Sequence, residues 1–277
     1  MTSVIQMPLA ERATSVVVAL HCSLGSGRQW SSLATALGSR YRIIAPDLSG
    51  YGGNTGPAIL PTTLAKEAEL LGGRLDEAKG PIHLIGHSYG GAVAFKIATC
   101  SPYAHRIRSL TLIEPVLPTL LRDEPADRRL HDRFVRIAHD VYEDLFNGLA
   151  MEAIDKFTAF WNGSAPPEQL SDKARLRLIA HADKLAFDFN AILTEANVAA
   201  AAATLRVPTL LVSGGLSPYL TQRIVARLAT IIGGAQVRHL TGAGHMLPMT
   251  HAAAINPEIV RHIARADEMA EVAVAAE

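Results

Sequence analysis

Short runs of β-branched and aliphatic residues recur along this chain, with helix-length segments between them. That alternation constrains the fold more than any other feature. The runs fall at residues 15–20, 42–45, 82–85, 107–113, 209–212 and 236–240. Each is too brief for a buried helix and reads as a strand buried on both faces. The intervening segments at 29–37, 62–78, 88–101, 220–231 and 257–270 have helical length and pattern. Strands joined through helices of that size are parallel, because a parallel pair needs a long crossover. The expected fold is therefore α/β, a mostly parallel sheet flanked by helices on both faces. Val4, Ile5 and Gln6 could add an edge strand.

One stretch breaks the alternation. Residues 117–203 contain no convincing strand, only helical patterns rich in Arg, Asp, Leu and Ala, with a turn at Pro166-Pro167. That is too long for a loop inside a compact domain. It reads as an inserted all-helical cap, residues 118–203, over a core made of residues 1–117 and 204–277.

Composition narrows the function classes. The chain is 49% apolar and 19% charged, enough to bury a core, and its 26 Lys and Arg balance its 26 Asp and Glu. A zero net charge removes the usual electrostatic case for nucleic acid or an acidic membrane as partner. Cys22 and Cys100 form neither a C-x-x-C pair nor a zinc spacing, and no histidine–carboxylate spacing suggests a metal. With no secretory pattern near Met1 and no run of membrane-helix length, a cytoplasmic location is the expectation. No cofactor is implied. A small-molecule substrate is expected, and a homo-oligomer is compatible with the sequence.

The chemistry is carried by Gly86-His87-Ser88-Tyr89-Gly90, set between the run at 82–85 and the helix opening at 88. G-x-S-x-G is weak alone, but a strand before it and a helix after it are the context a nucleophile elbow requires. Ser88 is then held at the carboxyl end of the sheet, where open α/β folds bind ligands. The plainer alternative, a helix N-cap, explains Ser88 without chemistry.

Five blocks together resemble the α/β-hydrolase superfamily: His21-Cys22-Ser23-Leu24-Gly25, residues 45–52, residues 86–91, residues 207–214, and Gly242-Ala243-Gly244-His245-Met246. They occur in the family's order and span nearly the whole chain. The resemblance implies a serine hydrolase in which His245 takes the Ser88 proton and returns it to the leaving group. It also implies an oxyanion hole formed by the backbone N–H groups of Tyr89 and Ser23, with Leu24 the alternative to Ser23. Cys22 stands where relatives have glycine.

The acid departs from the family pattern. Relatives place an aspartate a few residues beyond Gly214, where this chain has Ser217. No Asp or Glu occurs anywhere between Ala196 and Pro257. At the chain's average acidic content, such a span would carry about six. Glu114, which ends the run at 107–113, lies on the same sheet edge as Ser88 and His245, and some haloalkane dehalogenases use a glutamate after this strand. Glu114 is the expected acid. A neutral Ser217, or a Glu114 merely paired with an arginine such as Arg108, are the alternatives.

The sequence reading is thus a serine hydrolase cleaving a small ester, lactone, thioester or amide through an acyl-Ser88 intermediate. Carbon–carbon bond hydrolysis of a diketone by the same residues, cofactor-free acyl transfer, and a non-catalytic ligand receptor are the rivals. Asp47 is expected to be structural, and Phe157, Phe160 and Trp161 to be core or pocket lining.

Overall fold

The computed structural model describes residues 15–54, 56, 62–162 and 171–275. Six strands, β1 (Val16–Leu20), β2 (Arg42–Ile44), β3 (Ile82–His87), β4 (Ile107–Ile113), β5 (Thr209–Gly214) and β6 (Gln236–Leu240), form one sheet in the order β2-β1-β3-β4-β5-β6. Every described pairing is parallel. The register aligns Leu20 with Gly86, His87 with Ile113, Ile113 with Val212, and Gly214 with Leu240. The loops that follow β1, β3, β4, β5 and β6 therefore emerge along one edge.

The inner strands are mostly apolar because both faces are covered, with the few polar side chains in them, such as His83, Ser109 and Thr111, buried too. In β1, Val16, Val18 and Leu20 point into one core cluster, while Val17 and Ala19 point into the other, the two-residue period of a strand. On the first face lie α2 (Leu64–Leu70), α3 (Gly72–Asp76) and α4 (Tyr89–Cys100); on the second lies α1 (Ser31–Leu37). The edge strands are more open: β2 is exposed at Arg42 and half-buried at Ile43, and the residues of β6 are half-buried or exposed, with Arg238 blunting its open edge.

Between β4 and β5 every described element is helical: α5 (Thr119–Arg122), α6 (Arg128–Phe146), α7 (Ala150–Asn162), α8 (Asp172–Ile179), α9 (Asp183–Leu193) and α10 (Val198–Thr204). Their buried residues, Phe134, Trp161, Leu185 and Phe189 among them, belong to the same cluster as Leu20, Leu84 and Leu112 of the sheet. The insertion thus has no separate core. The chain closes with α11 (Tyr219–Ile231), α12 (Leu247–Thr250) and α13 (Ala252–Ala275).

Two helices differ from the sequence expectation. The helix anticipated at 62–78 is broken into α2 and α3 at Leu71-Gly72-Gly73, where paired glycines make continuation costly. The one anticipated from Pro257 begins at Ala252, five residues earlier. Three alanines open it with high helix propensity, and Ile255, Ile259 and Ile263, spaced four apart, seat it on the sheet across Pro257. The anticipated edge strand at 4–6 and turn at 166–167 lie outside the described residues. Among the described residues, no helix is long and apolar enough to cross a membrane.

Candidate active site

Ser88 sits between β3 and α4 with φ 57° and ψ −120°, a conformation side chains rarely adopt. The surrounding turn is over-determined. The Ser88 N–H donates to the Ile113 carbonyl at 3.0 Å, and the Ser88 carbonyl accepts from Val116 N–H at 3.2 Å. A Cβ on Gly86 would lie 2.2 Å from the Gly90 carbonyl oxygen, and one on Gly90 would lie 2.3 Å from that of His21. Neither approach is open to another residue, so those two glycines permit the turn by their missing atoms.

Around the elbow three side chains form one line. His245 Nε2 lies 2.9 Å from Ser88 Oγ, and its Nδ1 lies 2.6 Å from Glu114 Oε2. All three are buried. Glu114 follows β4 directly, also with positive φ, 46°, and its N–H donates to the Val212 carbonyl. Its carboxylate accepts from Gly214 N–H at 2.6 Å and from Thr221 Oγ1 at 3.3 Å. Burial pushes the Glu114 pKa up, but the His245 bond and charge, with Ser217 and Gly214, outweigh it and hold it below the ordinary value. Ser217 is close enough to favour the ionised carboxylate yet outside hydrogen-bonding geometry. Arg108 is occupied elsewhere, 3.6 Å from Asp267. Of the alternatives, Ser217 does not take the place of Glu114 beside His245, and Glu114 is paired with His245 and not with Arg108. His239 bonds Ser213 and His251 bonds Thr250.

The loop after β1 is fixed by neighbours that the sequence did not reveal. His21 is held neutral by burial; Leu48 N–H donates to its Nε2 at 2.9 Å, and its Nδ1 reaches the Cys22 carbonyl at 2.7 Å. Positive φ in this loop falls on Leu24, 58°, and not on Cys22, so the position where relatives have glycine needs no glycine here. Burial pushes the Cys22 thiol up to about 12, which removes it as a nucleophile at neutral pH. Gln29 bridges the loop to the histidines: its Oε1 accepts from Cys22 N–H at 3.3 Å, and its Nε2 lies 3.0 Å from His87 Nδ1. Burial, then the charge of His245, push His87 well down; as a neutral ring, it donates from Nε2 to the His245 carbonyl at 2.8 Å. Asp47 is structural, as expected, accepting from Gly27 N–H and Gly53 N–H at 2.7 Å each.

Ser23, Ser88, Tyr89, Trp161, Asp188 and Phe189 are among the walls of a narrow, mostly apolar cavity at the nucleophile. Phe157 also lines it, whereas Phe160 packs behind Trp161 with ring centres 4.8 Å apart. Trp161, from α7, lies flat on the His245 ring, centres 4.2 Å apart and planes 18° from parallel. His139, Asp140 and Glu143 on α6 bring donor atoms within 4.8 Å of one another, contrary to the absence of any such spacing in the sequence reading, but all three are exposed.

With hydroxyl, imidazole and carboxylate in hydrogen-bonding series beside a cavity, the arrangement can deprotonate Ser88 and stabilise the resulting imidazolium. Residues 17–258 match the family described as "Alpha/beta hydrolase family". Lipase LipV of Mycobacterium tuberculosis is 35% identical over 102 residues, 36% of this chain and 37% of that protein, so this chain spans little more than a third of its relative's length. The pimeloyl-[acyl-carrier protein] methyl ester esterase of Aeromonas hydrophila subsp. hydrophila is 30% identical over 179 residues, 60% of this chain and 68% of that one. The solved structure of MenH from S. aureus superposes with a TM-score of 0.74 at 17% identity, covering 94% of this chain and 96% of that one.

Proposed function

Because the chain belongs to the alpha/beta hydrolase family, we propose that it is a serine hydrolase that cleaves a small ester, lactone, thioester or amide through an acyl-Ser88 intermediate. The observation that carries this reading is the unbroken line Ser88–His245–Glu114, with hydrogen bonds of 2.9 Å and 2.6 Å and all three groups buried. His245 Nε2 takes the proton as Ser88 Oγ adds to the carbonyl carbon. The oxyanion then sits against the backbone N–H groups of Tyr89 and Ser23, two residues that border the cavity beside Ser88. Collapse expels the leaving group, which receives the proton from His245. Water, deprotonated by the same ring, adds to the acyl carbon and releases the acid and free Ser88. Glu114 holds the ring in the tautomer that presents a bare Nε2 to Ser88. The helical segment 118–203 acts as a cap domain over this site, on a core of residues 1–117 and 204–277, and its Trp161 and Phe157 narrow the acyl pocket.

A p-nitrophenyl ester series from acetate to octanoate tests this beside Ser88→Ala. The expected result is a burst of nitrophenol equal to the enzyme concentration, absent in Ser88→Ala, with kcat/KM falling beyond short acyl chains because the cavity is narrow. Folded protein that neither turns over any ester nor reacts with a fluorophosphonate would overturn the proposal in favour of a ligand receptor.

A further inference from the structure

The largest buried charge cluster near the cavity is not the triad. On α9, Lys184 and Asp188 lie one turn apart, both almost fully buried, and Lys184 Nζ bonds the Asp188 carboxylate. The same ammonium lies 3.1 Å from Glu67 Oε2, and Glu67, on α2, is fully buried too. Burial alone would lower the Lys184 pKa, but the two carboxylates outweigh it and keep the group charged. Every polar group around them is engaged. Asp188 Oδ2 accepts from Ser23 Oγ at 2.5 Å and from Tyr51 hydroxyl at 2.6 Å. Glu67 Oε1 accepts from Ser49 N–H at 3.0 Å, and its Oε2 accepts from Tyr89 hydroxyl at 3.2 Å. Lys184 Nζ also lies 4.7 Å from the centre of the Tyr89 ring.

The cluster ends on two particular residues. Ser23 and Tyr89 are the pair whose backbone N–H groups would hold the oxyanion, and each is tied through its own side chain to a carboxylate that Lys184 holds. We infer that Lys184 and Asp188 of the helical insertion are positioning residues that set the oxyanion hole, through the Ser23–Asp188 and Tyr89–Glu67 hydrogen bonds. The inference rests on the hydrolase reading above.

Holding the insertion down does not require this arrangement. A buried ion cluster adds little stability over well-packed apolar side chains, and here two carboxylates share one ammonium. What it supplies is direction: hydrogen bonds fix the loop after β1 and the first residue of α4 relative to each other, through one helix. Oxyanion donors act only if preorganised, and a misplacement of about 1 Å costs up to about a hundredfold in rate. Four segments far apart in sequence (the loop after β1, the loop carrying Tyr51, α2 and the start of α4) converge on α9, so the hole is complete only when the insertion is seated.

Ser23→Ala and Tyr89→Phe each cut one tie while keeping the backbone N–H, and Asp188→Asn weakens a tie while keeping the Ser23 hydroxyl. Each is measured for kcat, KM, melting temperature and affinity for a trifluoromethyl ketone, whose serine adduct carries the oxyanion. Expected are kcat losses of about tenfold to a hundredfold with KM within about twofold. Ketone affinity should fall by the same factor, and Ser23→Thr, which keeps the hydroxyl, should recover most of both. Lys184→Met strands two buried carboxylates, so the milder variants carry the test. Wild-type kcat and ketone affinity in Ser23→Ala, Tyr89→Phe and Asp188→Asn, in a protein whose Ser88 still reacts with fluorophosphonate, would overturn this inference alone. An unreactive wild-type Ser88 would overturn the hydrolase reading and this inference with it.

Discussion

Ser88 and Glu114 are both non-glycine residues with positive φ, and Leu24 in the loop beside them is a third. Only Asn197 shares the feature elsewhere among the described residues. Such strain persists where surroundings over-determine it, and here it aims an oxygen-bearing side chain off the end of β3 and another off the end of β4. The role proposed for the carboxylate at 114 is one that its amide could not fill. Gln in place of Glu114 keeps an acceptor for Gly214 N–H but opposes an N–H donor to His245 Nδ1, favouring the tautomer that leaves Nε2 protonated. Glu114→Gln should therefore lower kcat about 10³- to 10⁴-fold while shifting the melting temperature by only a few degrees; steady-state turnover beside a thermal melt checks this. Turnover near wild type would remove Glu114 from the site.

At the scale of elements, the strands announce themselves and their partners do not. Ser88, Glu114 and His245 each lie at or just beyond the end of a strand run, a placement readable from local pattern and parallel topology. Trp161 is different. It belongs to α7, and nothing within a dozen residues of it says that its face covers a histidine 84 positions on. Gln29, Lys184 and Asp188 were invisible for the same reason: the Ser23–Asp188 bond joins residues 165 apart. The helix break at Leu71-Gly72-Gly73 is hidden from periodicity, which carries across a junction that backbone freedom interrupts. The elbow itself yields a prediction at this scale. Gly90→Ala would push a methyl into the carbonyls of His21 and Leu20, both backbone and unable to swing away. A loss of roughly 3–5 kcal/mol is expected in urea unfolding, with any folded fraction showing a displaced loop after β1. Unaltered stability would mean that the turn is looser than its contacts imply.

For the molecule as a whole, equal numbers of acidic and basic residues leave pH sensitivity to individual buried groups. His262, on α13, is buried beneath the sheet, and burial pushes its pKa down to about 4. Burial likewise lowers His21 and His87. A histidine whose folded pKa lies below its unfolded value binds fewer protons when folded. Its contribution is then complete above about pH 6.5 and is lost as pH falls through the folded value, which for His262 is about 4. For His262 this amounts to about 3 kcal/mol. Asp267, held near 2 against burial by His83, Tyr41 and Ser15, loses its own contribution only below the ordinary carboxylate range. Urea unfolding at pH 7 and pH 4.5 should show wild type losing more stability than His262→Gln between the two, and equal losses would show that His262 titrates normally. The stacking of Trp161 on His245 has a separate consequence, in optics. The chain has two tryptophans, and Trp30 lies in the core cluster on the other face of the sheet. A protonated imidazole quenches an indole pressed against it. In a Trp30→Phe background the protein's emission is therefore a spectroscopic readout of the proton on His245, and it would follow that proton through a single turnover without any added dye.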